Sequence, residues 1–247
     1  MYRFFIEPEF CHGETIRITG SDYNHIKNVL RLKSGECITV SDGTEREYIC
    51  RILCYTDSEV VTQVEDLMDS CAELSTAITL YQGYPKADKM ELIIQKAVEL
   101  GAVRVVPVMM KRSVVKLDDK RAEKKVERMN AIALSAAKQS KRSVIPIVDR
   151  VMTYQEALKD AAKLDMVLLP YEDAAGIGHA REVIHSVQGK KSLGIFIGPE
   201  GGFDEQEVKE AKAIGAECIT LGHRILRTET AGLTILSILM FELENDT

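Results

Sequence analysis

No apolar run in this sequence approaches the ~20 residues that a membrane-spanning helix needs. The amino terminus, MYRFFIEPEF, places no basic region ahead of an apolar core, the form of a secretory signal. The expected compartment is therefore the cytoplasm, with no membrane partner. The phosphate loop G-x-x-x-x-G-K-[ST] occurs nowhere, which argues against a nucleotide-dependent enzyme of the kinase type. Gly176-Ile177-Gly178 lacks the third glycine of a dinucleotide fingerprint and does not directly follow a strand. Cysteine is sparse, at Cys11, Cys37, Cys50, Cys54, Cys71 and Cys218. Without a secretion signal these read as reduced thiols, not a disulfide framework. Cys50 and Cys54 alternate with apolar residues in a strand-like segment and no second ligand pair follows, so no metal is expected.

What is present is an ordinary globular composition: 247 residues, 45% hydrophobic and 28% charged, enough for one large or two modest domains. The stretch Leu193–Thr230 organises the chain. Its apolar run Leu193–Ile197 has the length of a buried strand and stops at Gly198. Pro199-Glu200-Gly201-Gly202-Phe203 then makes a tight loop. Asp204 and Glu207 have the spacing of a helix cap and its reciprocal partner, and Gly215 ends that helix. Ile219–Leu221 reads as a second strand, and Gly222 opens a second loop through Thr228. Two glycine-bearing loops thus leave strand ends one helix apart, where parallel α/β sheets bind ligands.

Residues 1 to about 70 read as mostly β, with short runs at Tyr2–Ile6, Thr15–Ile18, Cys37–Val40, Tyr48–Cys54 and Val60–Val64 and a turn at Asp42-Gly43. One helix, Ser21–Leu30 with Ser21 as cap, interrupts them, and the sum is a small barrel. From Ala77 onward, strands at Ala77–Tyr81, Val103–Val108, Val144–Val148, Met166–Leu169, Leu193–Ile197 and Ile219–Leu221 alternate with helices. The helices are Asp88–Leu100, capped by the Asp88/Glu91 pair and ended by Gly101, then Asp118–Gln139, Tyr154–Ala162, Gly178–Val187, Glu205–Ile214 and Glu229–Leu243. Six such alternations imply an α/β domain with a parallel sheet covered on both faces. The boundary falls near residue 72, giving domains 1–72 and 73–247.

Charge is unevenly spread. Lys111 to Arg142 carries eleven basic against four acidic residues on a chain of net charge −6. That stripe favours a polyanion over a merely solvated helix face. Lys86, Lys89, Arg112, Lys141 and Arg142 lie beside strand ends. His25, Lys27, Arg31 and Lys33, with Arg3 nearby, form a smaller basic cluster in the acidic first domain, read equally well as a solvated face or an RNA contact. Glycines in the two loops let backbone groups approach a ligand, with Ile197, Leu221, Ile225 and Leu226 as apolar walls.

GPEGGF at Gly198–Phe203, followed by LGHRILRTETA at Leu221–Ala231, resembles the knotted SPOUT methyltransferases. More specifically it resembles the ribosomal small subunit methyltransferase E family, which methylates uridine N3 in 16S rRNA. KADKMELIIQKAVELG at Lys86–Gly101, the Gln139–Arg142 segment, RFF at Arg3–Phe5 and HIKNVLR at His25–Arg31 carry the same resemblance, which covers nearly the whole chain. It implies an amino-terminal PUA-like RNA-binding barrel, a carboxy-terminal trefoil-knot domain, a homodimer, and S-adenosylmethionine as cofactor. The pattern alone would be drawn as an unknotted, doubly wound sheet.

The resemblance implies that Leu169, Pro170, Ile197, Gly198, Glu200, Gly201, Gly202, Leu221, Gly222, Ile225, Leu226 and Arg227 form the cofactor site. Arg3, Arg31, Lys86, Lys89, Arg112, Gln139 and Arg142 are the expected contacts to 16S rRNA of the small ribosomal subunit. Uracil N3 is a weakly acidic imide, so Glu200 is a candidate base and Arg227 a candidate for stabilising charge on a uracil oxygen. The alternatives are that Glu200 bonds loop amides and that Arg227 pairs with Glu229. A different class of function, a non-catalytic rRNA-binding assembly factor, is disfavoured by the intact glycines. Finally, Glu229–Leu243 is apolar nearly all round, so a second subunit is expected to cover the side its own sheet leaves bare.

Overall fold

The computed structural model describes residues 1–6, 13–43, 46–69, 72–115, 119–172 and 175–244. They form two compact units, Met1–Glu73 with Ala137–Ile145, and Leu74–Ala136 with Pro146–Thr247.

In the first unit, β1 (Arg3–Phe5), β2 (Thr15–Ile18), β3 (Cys37–Ser41), β4 (Arg46–Tyr55) and β5 (Val60–Asp69) form one sheet in the order β1-β3-β4-β5-β2. β1 runs parallel to β3 and the other pairings are antiparallel. β2 alternates strictly, with Thr15 and Arg17 outward and Ile16 and Ile18 buried, so one face of the sheet closes on an apolar core with Phe4, Ile26, Ile38 and Ile52. Two register shifts between β4 and β5 add the local twist that curls a sheet on itself. The helix expected from Ser21 to Leu30 is instead one α-turn, α1 (Gly20–Asn24), running into a π-helical turn at His25–Val29. Its closing bond runs from the Leu30 N–H to the His25 carbonyl at 2.9 Å. Ser21 is not the cap; Thr19 precedes the helix and makes no side-chain cap bond.

Ala137–Ile145 joins this unit, although nothing in its composition marks it as doing so. The Ser41 hydroxyl donates to the Ser143 carbonyl at 2.7 Å, and Glu73 accepts from the Ser143 and Val144 amides. Cys11 and Cys71 lie outside the described residues, as does Asp118, the expected start of the long helix.

The second unit is a parallel sheet flanked by helices. Its elements are β6 (Ala77–Gly83), α2 (Lys89–Glu99), β7 (Ala102–Met109), α3 (Asp119–Gln139), whose last residues belong to the first unit, β8 (Ile147–Val148), β9 (Met152–Thr153), α4 (Tyr154–Ala161), β10 (Met166–Pro170), α5 (Ile177–His185), β11 (Ser192–Ile197), α6 (Glu205–Ala213), β12 (Glu217–Ile219) and α7 (Thr228–Leu243). Strand order is β12-β10-β11-β6-β7-β8, with β9 pairing β7, and every pairing is parallel. β6 and β11 are buried on both faces, which is why they read as continuous apolar runs and not as alternation. Tyr81 and Phe196 stack at 4.6 Å in the core.

Local sequence set the helix ends unevenly. The capping pairs Asp204/Glu207 and Thr153/Glu156 both form reciprocally. The pair expected at Asp88/Glu91 does not, because Glu91 turns away to Arg128. Of the Val144–Val148 run only Ile147 and Val148 join the parallel sheet, while Val144 makes a single parallel bridge to Gly43 within the first unit. The final helix α7 buries Ile235, Leu236, Leu239 and Leu243, packing on α2 and on the sheet at β6 and β11. Its outer side keeps Phe241 84% exposed and Ile238 37% exposed.

Candidate functional site

The carboxyl ends of β12, β10 and β11 lie side by side, and the segments leaving them enclose a cleft of about 990 Å³. That lies at the upper end of the range of small-molecule sites. The first loop, Gly198–Asp204, turns tightly through a bond from the Gly202 amide to the Pro199 carbonyl at 2.9 Å. It is pinned from two sides. The Lys86 amide donates to Glu200 Oε1 at 3.0 Å, from a turn in which Ala87 takes the left-handed φ of +54°. On the other side the Arg112 guanidinium donates to the Gly201 carbonyl at 3.1 Å. The end of β6 packs so closely behind this loop that a Cβ at Gly83 would stand 2.5 Å from Pro199 N.

The second loop runs from Thr220 to Arg227. The Gly222 amide donates to Thr220 Oγ1 at 3.2 Å, and Gly222 takes a φ of +109°. Thr228, the first residue of α7, is 5% exposed; its hydroxyl donates to the Gly198 carbonyl at 2.6 Å and accepts from Gln82 Nε2 at 2.8 Å.

Lys89, on the first turn of α2, reaches between two carboxylates, at 3.3 Å from Glu200 Oε1 and 3.1 Å from Glu229 Oε2. Both carboxyls lie below the ordinary range. For Glu200 burial favours the neutral acid, but the Lys86 amide and Lys89 outweigh it. For Glu229 burial is likewise outweighed, by its own amide, by Lys89 and by the more distant charge of Arg227. Lys89 is raised in turn, by Glu229 above all. The downward direction makes Glu200 a weaker proton acceptor than a free carboxylate. Of the alternatives for Glu200, bonding to a loop-flanking amide is what the geometry shows. Arg227 does not pair with Glu229, whose ion pair goes to Lys89. Among the described residues the exposed Arg227 guanidinium makes no hydrogen bond or ion pair.

Pro170, Ile197, Gly198, Glu200, Gly201, Gly202, Leu221, Gly222, Ile225, Leu226 and Arg227 all line the cleft, whereas Leu169 is fully buried in β10 behind it. Ile225 is 89% exposed and stands at the rim. The expected reason for glycine at 201 changes: a Cβ there would meet Arg112 Cβ at 3.0 Å, so the missing side chain makes room for Arg112. Of the expected RNA contacts, Arg112 and Lys89 line the cleft and Lys86 is exposed beside it. Arg31, at a φ of +54°, and Gln139 are exposed in the first unit.

Two expected contacts are corrected. Arg3 is spent inside the first unit on Glu47 and the Lys141 carbonyl. Arg142 is 2% exposed and its guanidinium is clasped by Glu73, so it has no face to offer a phosphate. The basic stretch is further neutralised where Arg128 pairs with Glu91 and Lys138 with Asp22. Sequence reasoning did not single out Gln82 or Thr228; Thr228 and Glu229 stood in the quoted string beside Arg227, while Gln82 carried no signal. Among the described residues no cluster of His, Cys, Asp or Glu is placed to hold a metal.

Residues 72–240 match the RNA methyltransferase domain family, and residues 18–53 match the RNA methyltransferase PUA domain. The chain is 37% identical to ribosomal RNA small subunit methyltransferase E of Bacillus subtilis, over 99% of this chain and 98% of that protein. It is 32% identical to the protein of the same name from Mesomycoplasma hyopneumoniae, over 96% and 98%. The crystal structure of the Neisseria gonorrhoeae ribosomal RNA small subunit methyltransferase E bound to S-adenosyl methionine superposes with a TM-score of 0.84 at 30% identity, covering 98% of this chain and 97% of that one.

Proposed function

The chain belongs to the ribosomal RNA small subunit methyltransferase E family, and from that premise we propose that it transfers a methyl group from S-adenosylmethionine to N3 of a uridine in 16S rRNA of the small ribosomal subunit, in the cytoplasm. The observation that carries the reading is the pair of glycine loops that leave β11 and β12, on either side of β10, and line one cleft. The cleft suits the cofactor. A Cβ at Gly222 would meet only the tip of Arg224, at 4.0 Å, so the missing side chain leaves open space beside the loop backbone. Ile197, Leu221 and Leu226 offer apolar walls for the adenine ring, and loop N–H and C=O groups can read its edge.

S-adenosylmethionine supplies the reactive methyl group; what the chain must do is align acceptor and donor and manage one proton. Arg227, cationic and without an ion-pair partner among the described residues, faces the cleft and stabilises negative charge on a uracil oxygen as N3 loses its proton. Glu200 keeps its own charge and holds Lys86 and Lys89 against the first loop, leaving the proton to water. The target base reaches the cleft unstacked from its neighbours. Lys86 and Arg112 beside the cleft, and Arg31 and Gln139 in the first unit, are the proposed RNA contacts, the first 72 residues acting as a PUA-like RNA-binding barrel and residues 73–247 as the methyltransferase domain. The chain leaves β12 at the sheet edge and α7 returns to pack on α2, β6 and β11, which supports the trefoil knot that the resemblance implies. The bare outer side of α7, with Ile238 and Phe241, supports a homodimer.

The test is methyl transfer by purified protein to small-subunit rRNA, with nucleotide mapping of the product by mass. Arg227→Ala should lower kcat by roughly 100-fold, the scale of one lost oxyanion donor, with S-adenosylmethionine affinity little changed. No transfer by the unaltered protein, or methylation at another atom, refutes the assignment and returns the non-catalytic assembly factor to consideration.

A further inference from the structure

The two glycine loops leave different strands and are separated in sequence by the whole of α6, yet both must face one ligand. A direct hydrogen bond ties the first loop to the residue that follows the second, the first of α7: the Thr228 hydroxyl donates to the Gly198 carbonyl at 2.6 Å. The direction of that bond is set from behind. Gln82, fully buried near the end of β6, donates through Nε2 to Thr228 Oγ1 at 2.8 Å and to the Gly83 carbonyl at 3.0 Å. With its oxygen already accepting, the threonine hydroxyl has its one proton to give, and Gly198 receives it.

The amide oxygen of Gln82 is buried and has no hydrogen-bond partner among the described residues. An unpartnered buried oxygen disfavours the folded state, and an apolar side chain of similar length would avoid it. Stability alone does not ask for an amide at this point; its two N–H donors are what it contributes. Behind the hydroxyl, α7 approaches the sheet closely, since a Cβ at Gly232 would stand 3.5 Å from that same Gln82 oxygen and 3.8 Å from Ile197. The first turn of α7 is therefore held against β6 and β11 while its leading residue reaches the first loop.

We propose that the Gln82–Thr228–Gly198 chain sets the opening between the two loops, which makes Thr228 a positioning residue for S-adenosylmethionine. This rests on the cofactor reading given above. The second tie between the loops, Lys89 between Glu200 and Glu229, is part-exposed and open to screening by salt. The Thr228 bond joins two uncharged groups and is part-buried, so salt screens it little.

The test uses the full chain and S-adenosylmethionine itself, with calorimetry and steady-state methyl transfer. Thr228→Val keeps the shape and deletes both bonds. Its cofactor affinity should fall about tenfold, the equivalent of one net hydrogen bond, with KM for S-adenosylmethionine rising in step and kcat at saturating cofactor nearly unchanged. Thr228→Ser restores the hydroxyl and should restore the affinity. Gln82→Met removes the amide donors at similar length, frees the hydroxyl to turn, and should weaken binding in the same direction; it decides the matter if Thr228→Val does not fold. Unchanged affinity in Thr228→Val or Gln82→Met, or failure of serine to rescue, overturns the proposal. Absence of binding by the unaltered protein overturns the cofactor reading, and the positioning role with it.

Discussion

Arg142 offers a prediction that runs against its own sequence context. It sits at the end of a strongly basic stretch, where a phosphate contact is the natural expectation. In the fold its side chain is 3% exposed and that of Glu73 is 8% exposed. The Arg142 Nε–H lies 3.0 Å from one Glu73 oxygen and 3.3 Å from the other, and a second guanidinium nitrogen also donates to the carboxylate. Glu73 Oε1 further accepts from the Ser143 amide at 3.0 Å and the Val144 amide at 3.1 Å. Removing one partner of a buried pair costs about 3–5 kcal/mol, because the other charge stays buried. Arg142→Ala leaves a carboxylate that keeps its amide donors and should fall at the low end. Glu73→Ala leaves a guanidinium and two amides without that acceptor, each amide adding about 1–3 kcal/mol before water or backbone adjustment relieves it. Glu73→Ala is therefore the more damaging change. Equilibrium urea unfolding of the full chain measures both, and a salt series of RNA titrations on folded Arg142→Ala measures the other half of the argument. Its slope against salt should equal that of the unaltered protein. A loss below about 1 kcal/mol for Arg142→Ala, an inverted order of the two variants, or a slope smaller by one contact would refute the reasoning.

Three further outcomes are expected. Gly83→Ala drives a methyl group into Pro199, whose nitrogen is 2.5 Å from the Cβ position, and the displaced first loop should cost about 100-fold in turnover; unchanged turnover would show that the loop adapts. The Glu156 carboxyl, on which Arg150 and then the Thr153 amide and hydroxyl converge, is pushed down to about 2 from an ordinary 4.5. Its contribution to the start of α4 is thus fully present above pH 4.5 and lost as pH falls through about 2; a titration followed by NMR that finds an ordinary midpoint removes the capping contribution. Light scattering at micromolar concentration should give twice the 27.6 kDa chain mass, and Phe241→Glu should halve it while the separate chains stay folded, since that side chain is 84% exposed on one chain. Leu239, fully buried against its own subunit, would report folding instead, and a dimer that survives Phe241→Glu places the interface elsewhere.

The alternation of strands and helices after Ala77 was legible because each element carries its own period: apolar runs of five or six residues, amphipathic helices, and glycines at Gly101 and Gly215 that take positive φ at helix ends. The Asp204/Glu207 cap was legible for the same reason, since both partners lie within one turn. The two glycine loops could be placed on strand ends from sequence alone, and their string of residues carried the family resemblance.

What local pattern does not contain is the partner of a side chain that leaves its own segment. The Asp88/Glu91 spacing promised a cap, and Arg128, 37 positions away from Glu91, took the carboxylate instead. Arg142 read as a phosphate contact until Glu73, 69 positions away, claimed it. Glu200 read as a base until the Lys86 amide and Lys89 surrounded it. Gln82 and Thr228 had no visible relation, being 146 positions apart, until β6, β11 and α7 met. Sequence thus determined most of the elements, the Asp204/Glu207 cap and the two glycine loops at strand ends, because those depend on neighbours within a few residues. Charge state, burial and hydrogen-bond partners were decided by tertiary structure, because they depend on which distant groups share a low-dielectric space and in what geometry.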